Sequence, residues 1–202
     1  MLDRPDFYID GRWQAPTRSK SIDVINPATE APCGRISLGG PEDVDLAVGA
    51  AVRAFDSWSR TTREERLALL EEIETQFKKR YSDIADAMTE EMGAPKTLAM
   101  KAQAGSGLMH LKTTIRLLKS FEFEERNRTT LIVREPVGVC ALITPWNWPI
   151  NQIAVKVFPA LAAGCTMVLK PSEIAPFNAM LLADVLNDAG VPPGVFNLVN
   201  GD

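Results

Sequence analysis

The sequence predicts an α/β protein in which N-terminal helices and short β-strands lead into a partial doubly wound, Rossmann-like parallel sheet. Two features of the chain support this fold class. From residue 137 onward, short apolar segments rich in β-branched residues alternate with helical segments, an order typical of βαβ units. Before residue 120, apolar residues recur at helical spacing over three long segments, which predicts a helical region ahead of the sheet.

The composition is typical of a globular protein in a reducing compartment. The 202 residues carry a net charge of -4, which argues against nucleic acid or an anionic membrane as a partner. The N-terminus lacks an apolar signal core, and the apolar stretches are shorter than a membrane span. Three scattered cysteines and a single histidine argue against disulfides and a metal site, and they favour a cytoplasmic location.

The pattern divides the chain into three regions, 1–40, 41–120 and 121–202. The first predicts short strands, including a hairpin from Phe7 to Trp13 that turns at Asp10-Gly11. The second predicts helices, and the third predicts half of an α/β sheet domain. The further strands are expected at 21–25, 34–38, 137–144, 166–169 and 195–199. The helices are expected from Pro41, from 62 to 92 with or without a break near Tyr81, and at 96–119, 151–163 and 176–189. Thr62 followed by Glu65 predicts a capping box at the start of the second of these helices.

Three expectations concern packing. An apolar stripe on the first helix should face the core; it comprises Val44, Val48, Ala51, Phe55 and Trp58. The strand at 137–144 is apolar throughout, which is typical of a strand buried on both faces. No helix follows the last strand, so an open sheet edge and face should make the chain associate.

The first candidate site is Lys170-Pro171-Ser172-Glu173, directly after the strand at 166–169. A carboxylate and an ammonium three residues apart can hold a diol such as an adenosine ribose, because one accepts and the other donates hydrogen bonds. The carboxylate would also repel a phosphate on the ribose, which favours NAD over NADP. The alternative is a surface turn with an incidental ion pair.

The second candidate site is Thr144-Pro145-Trp146-Asn147, directly after the strand at 137–144. A neutral amide on a proline-stiffened loop suits an oxyanion hole, with tryptophans that exclude water. The alternative is that Asn147 only supplies turn chemistry. Right-handed connections place the carboxyl ends of successive parallel strands at one edge, so both candidate sites are expected to face one ligand.

The motifs together resemble the aldehyde dehydrogenase superfamily. The segment from Gly138, GVCALITPWNWPINQIAVKVFPALAAGCTMVLKPSEIAPFNAMLLADVLNDAGVPPGVFNLVNGD, resembles the first half of its cofactor domain. P-W-N-x-P, A-L-A-A-G-C, K-P-S-E and A-G-x-P-x-G-V-x-N occur there in the family's order and spacing. Upstream, INPATEAPCGRIS, AFDSWSRTTREERLALL and EEMGAPK resemble the family's N-terminal region, so the resemblance covers nearly the whole chain.

This resemblance implies an NAD-dependent oxidation of an aldehyde to a carboxylic acid through a thiohemiacetal on a cysteine. The residue matching Asn147 donates its side-chain amide to the thiohemiacetal oxygen. Residues matching Lys170 and Glu173 hold the adenosine ribose, with Ser172 between them. The remaining cofactor-cleft residues would be Ile143, Thr144, Pro145 and Trp146. The resemblance also implies a homo-oligomer that assembles through the strands of region 1–40.

The family's nucleophilic cysteine, general-base glutamate and glycine-serine turn have no match in the 202 residues. The chain is therefore expected to be an N-terminal fragment that is inactive alone. Cys140 and Cys165 lie in apolar surroundings, and Cys33 lies in a polar loop without a base, so none is expected to be the nucleophile. The alternatives are a non-catalytic nucleotide-binding or oligomerisation module, and an unrelated α/β binding protein.

Overall fold

The computed structural model describes residues 2–18 and 20–202 and confirms the mixed α/β fold. The strands are β1 (Leu2–Arg4), β2 (Phe7–Ile9), β3 (Arg12–Gln14), β4 (Ser21–Asn26), β5 (Ala31–Ser37), β6 (Glu124–Asn127), β7 (Thr130–Val133), β8 (Val139–Ile143), β9 (Thr166–Lys170) and β10 (Phe196–Leu198). The helices are α1 (Pro41–Trp58), α2 (Arg63–Lys79), α3 (Tyr81–Met92), α4 (Lys96–Leu98), α5 (Ala104–Leu118), α6 (Pro149–Ala162) and α7 (Phe177–Asp188), and a π-helical segment spans Ala99–Gln103.

The central sheet has five strands in the order β3-β2-β10-β9-β8. β8, β9 and β10 are parallel and are joined through α6 and α7, as the alternating pattern predicts. The predicted N-terminal hairpin is also present, and Asp10 and Gly11 adopt φ angles of 55° and 76° in its turn. This hairpin extends the same sheet, because β2 pairs antiparallel with β10.

Side chains of the sheet alternate between two packed layers. Met167 and Leu169 belong to the main core with the residues of α6 and α7. Val168 and Val199 pack on the opposite side, against the cluster that includes Ala47 and Ala50 of α1. Helices therefore cover both faces of the sheet, which fixes the strand ends on which the candidate sites depend.

The prediction that the strand at 137–144 is buried on both faces is wrong. β8 is an edge strand whose residues are half-buried or exposed, and Ile143 retains 70% of its surface. The prediction that the last strand is left uncovered is also wrong, because β10 is fully buried between β9 and β2. The two edges of this sheet therefore lie at β8 and β3, and apolar composition alone cannot distinguish an edge strand from a central one.

The apolar stripe predicted on α1 is rotated from the observed one. Ala51 and Trp58 are buried as predicted, but Val44 and Val48 are 45% and 39% exposed. The buried side carries small residues instead: Ala47, Ala50 and Ala54. Small side chains let α1 approach β9 and β10 closely, so close packing decides the orientation of this helix more than side-chain hydropathy does.

The other N-terminal helices follow the prediction closely. Thr62 and Glu65 form the capping box of α2, with Glu65 N–H donating to Thr62 Oγ1 at 3.1 Å. Of the two alternatives for residues 62–92, the structure has the break near Tyr81, because Arg80 has φ -99° and ψ 8° between α2 and α3. The helix predicted at 96–119 contains the π-helical segment, where the Tyr81 hydroxyl donates to the Met100 carbonyl at 2.6 Å.

Two smaller sheets complete the fold. β1, β5 and β4 form one, and Cys33 lies in β5 with its thiol donating to the Val24 carbonyl, so its predicted place in a loop is wrong. β6 and β7 form a separate hairpin that the charged sequence at 122–128 did not reveal. No helix within the described residues has the length and apolar character to cross a membrane.

Candidate functional site

The two predicted site segments meet at one edge of the central sheet. Ile143 at the end of β8 is the register partner of Lys170 at the end of β9. The backbone N–H of Thr144 donates to the Lys170 carbonyl at 3.3 Å, so the loop after β8 begins beside the turn after β9. Ligands of open α/β sheets bind outside the carboxyl ends of the strands, which makes this edge the candidate site.

The turn after β9 holds the predicted diol-binding pair. Lys170 Nζ lies 3.4 Å from Glu173 Oε2, and Ser172 Oγ lies 3.5 Å from the same oxygen. The N–H of Ile174 donates to Ser172 Oγ at 3.3 Å and closes the turn. The distances from Glu173 Oε2 to Lys170 Nζ and Ser172 Oγ are both longer than the roughly 2.8 Å of a tight charge-assisted hydrogen bond. Both charged side chains are about one-third exposed, so each retains hydrogen-bonding positions for a ligand.

The loop after β8 exposes the Asn147 side chain. Among the described residues the Asn147 side chain has no hydrogen-bond partner, and the residue is exposed. Turn chemistry requires a bond from the amide to nearby backbone, so the turn-only interpretation has no contact to support it. Trp146 and Trp148 are 48% and 38% exposed in this chain, so their exclusion of water from Asn147 stays a prediction.

A cleft lies on the α1 side of the sheet, next to these strand ends. It is lined by Gly39, Val44, Val48, Ala141, Leu142, Ile143, Val168, Lys170, Val199, Asn200, Gly201 and Asp202. The cleft explains why two valines of α1 are exposed, because they face it and not the core. Its walls are mainly apolar, with Lys170 at the end where the predicted ribose site lies.

Two buried oxygens near this edge have no hydrogen-bond partner within the described part of the chain. They are Oδ1 of Asn200, which lines the cleft, and Oγ1 of Thr144. Asn200 is 1% exposed and Thr144 is 4% exposed. A buried acceptor without a partner costs stability, and neither oxygen is accessible from the cleft in this conformation. Asn200 is not among the predicted site residues, since its place depends on the pairing of β10.

Comparison with known proteins agrees with this architecture. The family model described as "Aldehyde dehydrogenase family" matches residues 13–202. The chain belongs to the aldehyde dehydrogenase family. A curated relative, the 3-succinoylsemialdehyde-pyridine dehydrogenase of a Pseudomonas species, is 61% identical over 203 residues. That match covers 100% of this chain and 43% of the relative, so the chain spans less than half of the relative's length.

Solved aldehyde dehydrogenases share the fold of this family member. The enzyme from Bartonella henselae is 48% identical with a TM-score of 0.99, over 100% of this chain and 43% of its own. Aldehyde dehydrogenase C from Pseudomonas syringae, solved as a mutant with NAD+ and octanal, is also 48% identical. Its TM-score is 0.97, over 98% of this chain and 41% of its own.

Two of the three cysteines in this aldehyde dehydrogenase chain have thiol pKa values raised above the ordinary value. Burial, and then the charge of Glu91, raise the pKa of the Cys33 thiol. Burial, and then the nearby Cys165, raise the pKa of the Cys140 thiol. Cys165 is buried. A nucleophilic cysteine needs an accessible, electropositive setting that lowers its pKa, so neither Cys33 nor Cys140 fits this role. Among the described residues, no group of three metal-ligating side chains is arranged around one point.

Proposed function

We propose that this chain is the N-terminal, cofactor-binding part of an NAD-dependent aldehyde dehydrogenase, which oxidises an aldehyde to a carboxylic acid. The observation that carries the proposal is the junction of β8 and β9. There the Asn147 loop and the Lys170–Glu173 turn begin beside each other, joined by the bond from Thr144 N–H to the Lys170 carbonyl. A site that must place a cofactor next to a reacting carbonyl needs these two segments at one edge.

The turn after β9 would hold the adenosine ribose of NAD. The Glu173 carboxylate accepts from the ribose hydroxyls, Lys170 donates from the other side, and Ser172 holds the turn between them. Glu173 disfavours the additional phosphate of NADP, because two negative charges would meet in a half-buried place. Ile143, Thr144, Pro145 and Trp146 would line the cofactor cleft.

Asn147 would donate its side-chain N–H to the oxygen that becomes negative during the reaction. Its amide has no hydrogen-bond partner among residues 2–18 and 20–202, and its loop begins at the strand end beside the cofactor turn. Bound NAD supplies the chemistry of hydride acceptance. A preorganised donor of this kind contributes on the order of 3 kcal/mol to transition-state stabilisation in other enzymes.

The remaining parts of the proposal concern the whole enzyme. The nucleophilic cysteine lies outside residues 1–202, which makes these residues inactive alone. The substrate is a small aldehyde, the enzyme is a cytoplasmic homo-oligomer, and it uses neither nucleic acid nor a membrane. The names of the relatives support an aldehyde as the substrate class, because they include a semialdehyde dehydrogenase and a complex with octanal.

NAD binding to the 202-residue chain tests the cofactor site. We expect Lys170→Ala and Glu173→Ala each to weaken binding about tenfold, the effect of one lost hydrogen bond to a charged group. The matched controls are Glu71→Ala and Lys119→Ala, which break an exposed ion pair between α2 and the end of α5. Glu173→Gln should reduce the ratio of the affinity for NAD to the affinity for NADP. Equal affinity of Lys170→Ala, Glu173→Ala and the unchanged chain would disprove the assigned ribose site.

Activity measurements test the catalytic part of the proposal. The isolated chain, given NAD and an aliphatic aldehyde, should form no NADH. The same residues joined at position 202 to the remainder of the Pseudomonas relative should oxidise the aldehyde, and Asn147→Ala should lower kcat at least a hundredfold. Activity of the isolated chain that disappears on mutation of Cys140 or Cys165 would overturn the proposal. NAD binding without activity in the joined form would favour the alternative, a non-catalytic nucleotide-binding module.

A further inference from the structure

The first turn of α6 is held by two contacts from α5. His110 Nε2 lies 2.8 Å from Asn151 Oδ1, and with the amide oxygen as acceptor the imidazole donates this bond. One turn earlier on α5, Gly107 packs against the fully buried Ile150. A Cβ at Gly107 would lie 2.9 Å from Ile150 Cγ1, so the two helices approach as closely as a glycine allows.

These contacts are next to the Asn147 loop. Asn147 lies three residues before Ile150 and four before Asn151. The loop's other end is fixed by the bond from Thr144 N–H to the Lys170 carbonyl. Between these ends, Asn147 has no side-chain hydrogen bond in the described part of the chain, and Trp148 at the start of α6 provides no side-chain cap. The position of Asn147 therefore depends on how both ends are anchored.

The contacts of His110 and Gly107 on α5 take the place of a side-chain cap at the start of α6. A helix start without a capping side chain leaves its first turn prone to fraying. In α6 the first turn is closed by the bond from Gln152 N–H to the Trp148 carbonyl at 3.0 Å. His110 binds the side chain next to Gln152, and Ile150 is wedged against Gly107, so α5 restrains this turn from outside.

We propose that His110 is a positioning residue for Asn147, acting through its hydrogen bond to Asn151 in the first turn of α6. The inference rests on the proposed function, in which the Asn147 amide must meet a developing negative charge. An oxyanion donor acts only when it is held at the correct place before the reaction, and small displacements are costly. His110 itself touches neither substrate nor cofactor in this scheme.

The first test uses the 202-residue chain and does not depend on activity. We expect His110→Leu to increase hydrogen exchange at the Gln152 amide about fivefold, the effect of one lost neutral hydrogen bond. The heteronuclear 1H–15N nuclear Overhauser effects of the Trp146 and Trp148 indole N–H groups should fall as the loop becomes mobile. His110→Gln keeps an N–H donor and should restore both values. Ser106→Ala is the matched control, because it removes the bond from the Ser106 hydroxyl on α5 to the Gln103 carbonyl, which does not involve α6.

A second variant keeps the test independent of the folding of His110→Leu. Asn151→Ala should give the same local effect, and the double variant should add nothing further, since both changes remove one bond. Unchanged exchange at Gln152 in both single variants would overturn the proposal. A uniform rise in exchange across the chain, or no recovery in His110→Gln, would also overturn it, because either result indicates general packing.

In the form joined to the rest of the Pseudomonas relative, His110→Leu should lower kcat about tenfold while the KM for NAD stays within twofold. His110→Gln should recover kcat. A changed KM for NAD with an unchanged kcat would contradict the positioning role. If the local effects appear in the 202-residue chain but the joined form has no activity with any aldehyde, the proposed function fails and the anchoring contact remains.

Discussion

Glu91 should make the stability of this protein fall as the pH rises through the neutral range. The side chain is fully buried and accepts hydrogen bonds from the N–H groups at the start of α7: from Phe177 N–H, from Asn178 N–H at 3.0 Å and from Asn178 Nδ2 at 2.6 Å. Burial raises the pKa of Glu91 to about 7, although these hydrogen bonds act to lower it. The carboxyl group therefore keeps its proton in the folded state at pH values where the unfolded chain has lost it.

The magnitude follows from this difference in pKa. The ordinary value is 4.5, so between pH 4.5 and about pH 7 the folded state binds more protons than the unfolded state. The contribution of this group to folding is fully present below pH 4.5 and is lost as the pH rises through this window. This rise in pKa corresponds to about 3 kcal/mol in the free energy of unfolding, which is a large part of the stability of an ordinary domain.

Urea unfolding at several pH values from 5 to 8 measures this effect. Glu91→Gln removes the titrating group. The free energy of unfolding of this variant should therefore fall much less between pH 5 and 8 than that of the unchanged chain. The matched control is Glu90→Gln, which alters an exposed neighbour on α3 and should preserve the decline. If Glu91→Gln and the unchanged chain show the same slope with pH, the reasoning from burial is refuted.

Three further predictions concern folding and association. Thr62→Ala removes the capping bond of α2 and should cost about 1 kcal/mol in urea unfolding, with no loss in Thr62→Ser. Gly194→Ala should cost more than Gly190→Ala, by about 1–3 kcal/mol. Both glycines have φ near 80°, but only at Gly194 would a Cβ lie 2.6 Å from the Ala50 carbonyl oxygen, so equal losses would contradict the clash. Sedimentation of the isolated chain should show association that increases with concentration, and a monomer throughout would contradict this expectation.

The sequence predicts the elements of this fold well where the signal is local. The Asp10-Gly11 hairpin, the Thr62 capping box and the break near Tyr81 are all present, because each depends on a few neighbouring residues. The meeting of the two candidate segments was also predicted, since right-handed connections leave parallel strands no other arrangement. The candidate site could therefore be located from the sequence to within one edge of one sheet.

The errors arise where distant segments decide. Nothing local indicates that β2 pairs with β10, so the last strand was expected to be open, although it is buried. The exposure of Val44 could not be predicted either, because the close packing of alanines sets the rotation of α1. Asn200 and the bond between His110 and Asn151 were missed for the same reason: each joins parts of the chain that the pattern treats separately.

The open edge of β8 and the candidate site are one region of the molecule. In doubly wound sheets with the strand order 3-2-1-4, the first strand is central and the ligand binds beside it, where the order reverses. Here β10, β9 and β8 have the order 3-2-1, so the free side of β8 corresponds to that reversal. Ile143 belongs both to this open strand and to the cleft that holds Lys170. Association through this edge and NAD binding would therefore use the same surface, and NAD should weaken the association in proportion to its occupancy of the cleft.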